Sequence, residues 1–92
     1  MNIDRITEME GRLERLKVAV EQLNSALDAF AEAKEDYAVL DTYLGSAGWH
    51  RDRADDEAGL LPTDLKRGVL SEDAIWNALE DYRELEARLK GE

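Results

Sequence analysis

Apolar residues in the first third of the chain recur at alternating spacings of three and four. They are Ile6, Met9, Leu13, Leu16, Val20, Leu23, Leu27 and Phe30. This spacing is the a/d pattern of a heptad repeat, which places its apolar side chains along one face of a helix. A second run at the same spacing takes over before the first one ends, and it consists of Ala26, Phe30, Ala33, Tyr37, Leu40 and Leu44. The pattern predicts one long helix over residues 3–44 whose buried face rotates near Phe30.

Residues that commonly cap or end helices mark the boundaries of the first two helices. Asn2 or Asp4 is expected to cap the long helix, and Gly45 is expected to end it. Ser46 can cap a short helix over residues 47–58, which Gly59 would stop. The sequence therefore predicts two consecutive helices separated by a tight turn.

A connector over residues 59–70 is predicted to lead into a C-terminal helix over residues 71–90. Pro62 breaks regular structure and can open one turn of helix, and residues 66–70 are expected to be extended. Ser71 is a suitable N-cap, with Leu70 placed to pack against Ile75. Two ion pairs are expected between residues four apart, namely Glu84 with Arg88 and Glu86 with Lys90. Gly91 would end the helix. The apolar face of this helix comprises Ile75, Ala78, Leu79, Tyr82, Leu85 and Leu89.

These elements predict an all-α fold in which residues 1–92 form a single helical domain. The C-terminal helix would pair antiparallel with the long helix as a helical hairpin, and the short helix and connector would cover the remaining apolar surface. The side chains expected to anchor that cover are Trp49, Leu60, Leu61, Leu65 and Val69. Trp76 lies beside the main apolar face, so it is expected to pack under the middle segment, with exposure as a binding anchor the alternative.

The N-terminal part of the heptad face would remain uncovered in such a hairpin. An apolar stripe of that size is uncommon on the surface of a monomer. The sequence therefore predicts a homodimer, or docking on another protein, through Ile6, Met9, Leu13, Leu16 and Val20.

Charge and composition narrow the classes of function. The chain carries a formal charge of -10 over 92 residues, which disfavours direct binding to nucleic acid. It has no cysteine and no run of apolar residues long enough for a membrane span, so we expect a cytoplasmic protein that does not associate with membranes. An acidic decoy that imitates the phosphate charge of DNA is the alternative to an interaction module.

No constellation of residues typical of an active site is apparent. His50 lies near Asp52, Asp55 and Asp56, but a lone histidine with carboxylates lacks the paired ligands of convincing zinc motifs. Carboxylate pairs are expected by chance among 22 acidic residues. No phosphate-binding loop or nucleophile motif is present, so we expect neither an enzyme nor a bound metal or cofactor.

Lys66 and Arg67 form a basic pair in the middle segment. One hypothesis is that they hold a carboxylate or phosphate of a partner. The favoured interpretation is that they pair with Asp55, Asp56 or Glu57 and fix the connector against the short helix. Gly68 would then supply a backbone angle that a side chain would hinder.

The segment from residue 49 to residue 73 is more distinctive than the helices. Residues 56–62 read DEAGLLP and residues 65–73 read LKRGVLSED, and Tyr43, Gly45, Ser46 and Trp49 precede them. This arrangement resembles a family of short bacterial proteins known only as a domain of unknown function, DUF4298. The resemblance covers nearly the whole chain and implies a bacterial, cytoplasmic protein, but it implies no activity. The residues of this segment that we expect to have a motif or structural role are Trp49, Asp56, Leu61, Pro62, Lys66, Arg67, Gly68 and Ser71.

Overall fold

The computed structural model describes residues 1–91, which form three α-helices, one short 3-10 helix and no strand. The α-helices are α1 (Ile3–Leu44), α2 (Ala47–Glu57) and α3 (Glu72–Leu89), and the 3-10 helix spans Gly68–Leu70. The all-α fold class is confirmed. The chain divides into two compact units, an N-terminal unit of Met1–Lys34 and a C-terminal unit of Glu35–Glu92.

The N-terminal unit consists of the first part of α1. Asn2 is its cap, because its Oδ1 accepts a hydrogen bond of 2.9 Å from the backbone N–H of Arg5. The seven heptad positions from Ile6 to Leu27 are all exposed. None of the buried side chains of the described residues belongs to this unit.

The core lies in the C-terminal unit, where α2, the 3-10 helix and α3 meet. Four side chains among residues 1–91 are buried with 8% exposure or less, and they are Trp49, Leu70, Ile75 and Leu79. The indole Nε1 of Trp49 donates a hydrogen bond of 2.8 Å to the carbonyl of Val69, so the largest core side chain is also satisfied as a donor. This bond ties α2 to the 3-10 helix.

The end of α1 within the C-terminal unit pairs with α3 in the antiparallel direction. The rings of Tyr37 and Tyr82 stack with centroids 4.4 Å apart, whereas Leu40 shares a cavity wall with Ala74 and Ala78. Moving forward along α1 therefore corresponds to moving backward along α3. The predicted helical hairpin is confirmed.

The predicted rotation of the buried face is visible in the exposure of α1. Side chains of the second apolar run are half-buried at Phe30, Ala33, Tyr37, Leu40 and Leu44, again at spacings of three and four. The first run is exposed up to Leu27. The two runs thus occupy different environments within one continuous helix.

Hydrogen-bonding caps and glycines set the ends of the shorter helices. The Oγ of Ser46 accepts from the N–H of Trp49 at 3.2 Å, and the Oγ of Ser71 accepts from the N–H of Ala74 at 3.3 Å. Gly59 follows α2 with a φ of +72°, a conformation that favours glycine. These helix ends could be predicted from the sequence because each capping residue and its hydrogen-bond partner are only three residues apart.

The connector differs from its prediction in three ways. Residues 68–70 form a 3-10 helix rather than an extended segment, with the N–H of Leu70 bonded to the carbonyl of Arg67. Leu60, Leu65 and Val69 are exposed by 71%, 48% and 42%, so they do not anchor the segment. Within the 3-10 helix, the Val69 carbonyl accepts the hydrogen bond from Trp49, and the side chain of Leu70 lies in the core. Pro62 opens a single turn, closed by the N–H of Leu65, and not a helix.

Two predictions for α3 were wrong. Trp76 is 51% exposed, because Ile75 and Leu79 define the inward face and the next residue lies about 100° around the helix. Glu84 and Arg88 form no ion pair, whereas Lys90 lies 3.7 Å from Glu86 as expected. Exposed ion pairs of this kind contribute little to stability, so the absence of the Glu84–Arg88 pair hardly affects the fold.

Candidate functional site

Arg67 fastens the connector to α2. Its Nη1 lies 2.6 Å from Oδ1 of Asp56, its Nη2 donates to the carbonyl of Pro62 at 2.6 Å, and its Nε donates to the carbonyl of Leu65 at 3.4 Å. The planar guanidinium suits such a set of contacts because it presents donors in several fixed directions. Arg67 is therefore the residue that holds the turn after α2 closed.

Lys66 differs from its neighbour. It is exposed, and it makes no ion pair or hydrogen bond within the part of the chain that the structure describes. It lines a cavity of about 360 Å³ together with Leu40, Gly68 and Ile75, and it also lines a second cavity of about 250 Å³. The structural interpretation of the basic pair therefore holds for Arg67 and not for Lys66. Lys66 lies beside apolar surface instead.

The prediction that Gly68 supplies a backbone angle hindered by a side chain is wrong. Positive φ angles occur at Gly59 and Gly91 among the described glycines, and Gly68 is not among them. A Cβ built on Gly68 would meet nothing within 4 Å. Neither backbone conformation nor packing requires glycine at this position.

We expect Gly68→Ala to raise the free energy of unfolding by about 0.4–1 kcal/mol, because alanine restricts the unfolded chain without strain in the folded one. Urea unfolding followed by far-UV circular dichroism measures the change. Gly59→Ala is the matched control, and it should destabilise the protein because its φ of +72° disfavours a side chain. Destabilisation by both variants would contradict the open environment of Gly68.

Tyr43 and Asp52 connect the end of α1 to α2. The phenol Oη donates a hydrogen bond of 2.7 Å to Oδ2 of Asp52. This bond to a carboxylate is the main reason that the pKa of Tyr43 is raised above its ordinary value of 10.0, with partial burial and the negative charge of Asp52 as smaller causes.

Tyr43→Phe is expected to lower the free energy of unfolding by about 0.5–1 kcal/mol near neutral pH, the usual contribution of one exposed hydrogen bond. A tyrosine whose pKa is raised by folding stabilises the fold below its unfolded pKa, and this contribution is lost as the pH rises above 10. The difference between the wild type and the variant should therefore shrink as the pH rises above 10 in urea titrations. A difference that does not change over that range would rule out the bond to Asp52 as its source.

Two further arginines join elements of the C-terminal unit. Arg53 on α2 bonds Glu57 at 3.2 Å and Glu72 at 3.0 Å, and these bonds raise its pKa. Arg83 on α3 bonds the hydroxyl of Tyr37 at 2.9 Å. No sequence signal identified either arginine, because Glu72 and Tyr37 lie 19 and 46 residues away from them.

His50 has no metal-ligand neighbourhood in the structure. Its ring packs edge-on against Trp49 with centroids 5.2 Å apart, and Asp52 is engaged by Tyr43. Across residues 1–91, no three His, Cys, Asp or Glu side chains are grouped closely enough to hold a metal ion. None of the helices in the same range has the length and apolar content needed to cross a bilayer.

The heptad face of the N-terminal unit is the largest apolar feature without a partner in the described chain. We name it the seam, and it consists of Ile6, Met9, Leu13, Leu16, Val20, Leu23 and Leu27, which are between 39% and 62% exposed. It includes all five residues for which an interaction was predicted from sequence. In the C-terminal unit, by contrast, Arg67 contacts Asp56 and Pro62, and Trp49 lies in the core, so the seam is the candidate functional site.

The comparisons with known proteins identify the family but no function. Neither the curated proteins nor the solved structures include a match to this chain. The family model described as "Domain of unknown function (DUF4298)" matches residues 6–90. The match includes the seam, the Arg67 contact and the core, and the chain therefore belongs to the DUF4298 family.

Proposed function

We propose that this protein is a helical interaction module that self-associates through the seam. The observation that carries the proposal is the exposure of seven consecutive a and d positions of a heptad repeat. A strict a/d repeat suits a partner helix with the same repeat, because each side chain then inserts between four residues of the other helix. The other apolar helix of the chain, α3, already uses Ile75 and Leu79 in the core. A second copy of α1 is therefore the partner with the matching pattern.

The energetics are compatible with a reversible dimer. Complete burial of a large apolar side chain contributes about 1.5–3 kcal/mol, so a half-exposed one contributes about 1 kcal/mol when a partner covers it. The fourteen seam side chains of two copies then supply roughly 14 kcal/mol, against an association cost of about 4–15 kcal/mol. Burial of the seam therefore offsets most or all of the cost of association.

Sedimentation velocity over a range of concentrations tests the proposal. The wild type should shift from one chain towards two, and Leu13→Glu or Leu16→Glu should weaken association by at least about 100-fold, because each places two carboxylates in an apolar interface. Val18→Glu is the matched control, since Val18 is 41% exposed on the same helix but lies outside the seam.

The control should associate as the wild type does, and circular dichroism should show the same helix content in all variants. A wild type that sediments as one chain at every concentration would refute self-association. Equal weakening by the control would show that the seam is not the interface.

A further inference from the structure

Charge is distributed unevenly along the chain, and this distribution affects whether two copies pair through the seam in a parallel or an antiparallel orientation. Residues 1–34 contain seven acidic and five basic side chains, a net charge of -2, whereas residues 35–92 contain fifteen and seven, a net charge of -8. A parallel dimer would bring the two strongly acidic segments together at one end. An antiparallel dimer would place one at each end, where repulsion between them is screened by salt over several Debye lengths.

We infer that two copies associate through the seam as an antiparallel pair centred near Val18. This inference rests on the proposed self-association and adds its orientation and register. With Ile6 as an a position, pairing Leu16 with Val20 of the partner subunit also pairs Met9 with Leu27 of the partner subunit. Every seam residue from Met9 to Leu27 then faces another apolar residue, and the overlap ends before Lys34, where the heptad frame would put a charge in the seam.

The charged residues beside the seam distinguish only weakly between the two orientations. In a parallel pair, attraction between Arg5 and Glu10 of the partner subunit would be offset by repulsion between Arg12 and Lys17 of the partner subunit. In the antiparallel register, the corresponding g positions bring Arg12 against Ala26 of the partner subunit.

The small side chain of alanine leaves room for the apolar stem of an arginine to lie along the interface. The one unfavourable contact is between the Lys17 residues of the two copies, which meet once at the symmetry axis. The flanking charges cancel in the parallel pair and leave one exposed contact between lysines in the antiparallel pair. This difference is small compared with the repulsion between two segments that each carry a net charge of -8, so the acidic segments decide the orientation.

Pulsed electron paramagnetic resonance on spin-labelled full-length protein tests the inference. The chain has no cysteine, so one cysteine can be introduced at a time, as Asp4→Cys, Val18→Cys or Glu32→Cys. These three positions are separated by whole heptads and lie opposite the seam. The antiparallel pair predicts the shortest distance between labels at position 18, and an additional axial separation of about 42 Å at both other positions, from 1.5 Å per residue.

Each outcome decides a different point, provided that each labelled variant sediments as the unlabelled protein does. Equal distances at the three positions would establish a parallel pair and overturn this inference while leaving self-association intact. Clearly unequal distances at positions 4 and 32 would overturn the register. Absence of dipolar coupling at all three positions, with sedimentation as one chain, would overturn the proposed function itself.

Discussion

Trp49→Ala is expected to lower the free energy of unfolding by about 3–5 kcal/mol, the largest effect of any single truncation in the chain. Trp49 is 3% exposed and is the largest of four buried side chains. Its removal leaves a cavity between α2, the 3-10 helix and α3, and it also leaves the Val69 carbonyl without its donor. Small domains have a total stability of at least about 5 kcal/mol, so a loss of this size would remove a large share of the stability of the C-terminal unit.

The second tryptophan provides the control for this prediction. Trp76 is 51% exposed, so Trp76→Ala should cost less than about 1 kcal/mol. Urea unfolding by circular dichroism compares both variants without depending on indole fluorescence. Similar losses of unfolding free energy for the two variants would contradict a core centred on Trp49. A larger loss for Trp76→Ala would mean that the Trp76 face of α3, and not the face of Ile75 and Leu79, is buried.

Arg67→Ala is expected to lower the free energy of unfolding by about 2 kcal/mol. The change removes donors from two backbone carbonyls and leaves the half-buried carboxylate of Asp56 without its cation. Arg67→Lys should have an intermediate effect, because one ammonium can reach Asp56 but cannot also hold the carbonyls of Pro62 and Leu65.

Lys66→Ala is the matched control, since Lys66 is the adjacent basic residue and lacks these contacts. It should change the free energy of unfolding by less than about 0.5 kcal/mol. Urea titrations of the three variants measure the differences. Equal effects at both positions would mean that general charge balance, rather than the Arg67 contacts, stabilises the connector.

Local sequence signals were sufficient for most of the helix boundaries. The caps at Asn2, Ser46 and Ser71 and the turn at Gly59 depend on hydrogen bonds or backbone angles within a few residues, and such features can be inferred from the order of residues alone. The change of apolar face near Phe30 was also predictable, because periodicity is a property of one helix. Identification of the seam rests on the same periodicity.

Contacts between distant parts of the chain could not be inferred in this way. Arg53 meets Glu72, and Arg83 meets Tyr37, only because α2, α3 and the end of α1 are brought together by the fold. The same is true of the Trp49 bond to Val69 and of the burial of Leu70, next to which Val69 remains exposed.

Side-chain spacing along single helices is enough to infer the all-α class, the rotation of the apolar face of α1 and the heptad pattern of the seam. Which member of each pair of candidate residues is structural depends on how the helices pack. Arg67 rather than Lys66 holds the connector, and Trp49 rather than Trp76 fills the core. Neighbours of similar chemistry are distinguished by the direction in which the folded backbone points them, and that direction is set by contacts between elements far apart in sequence.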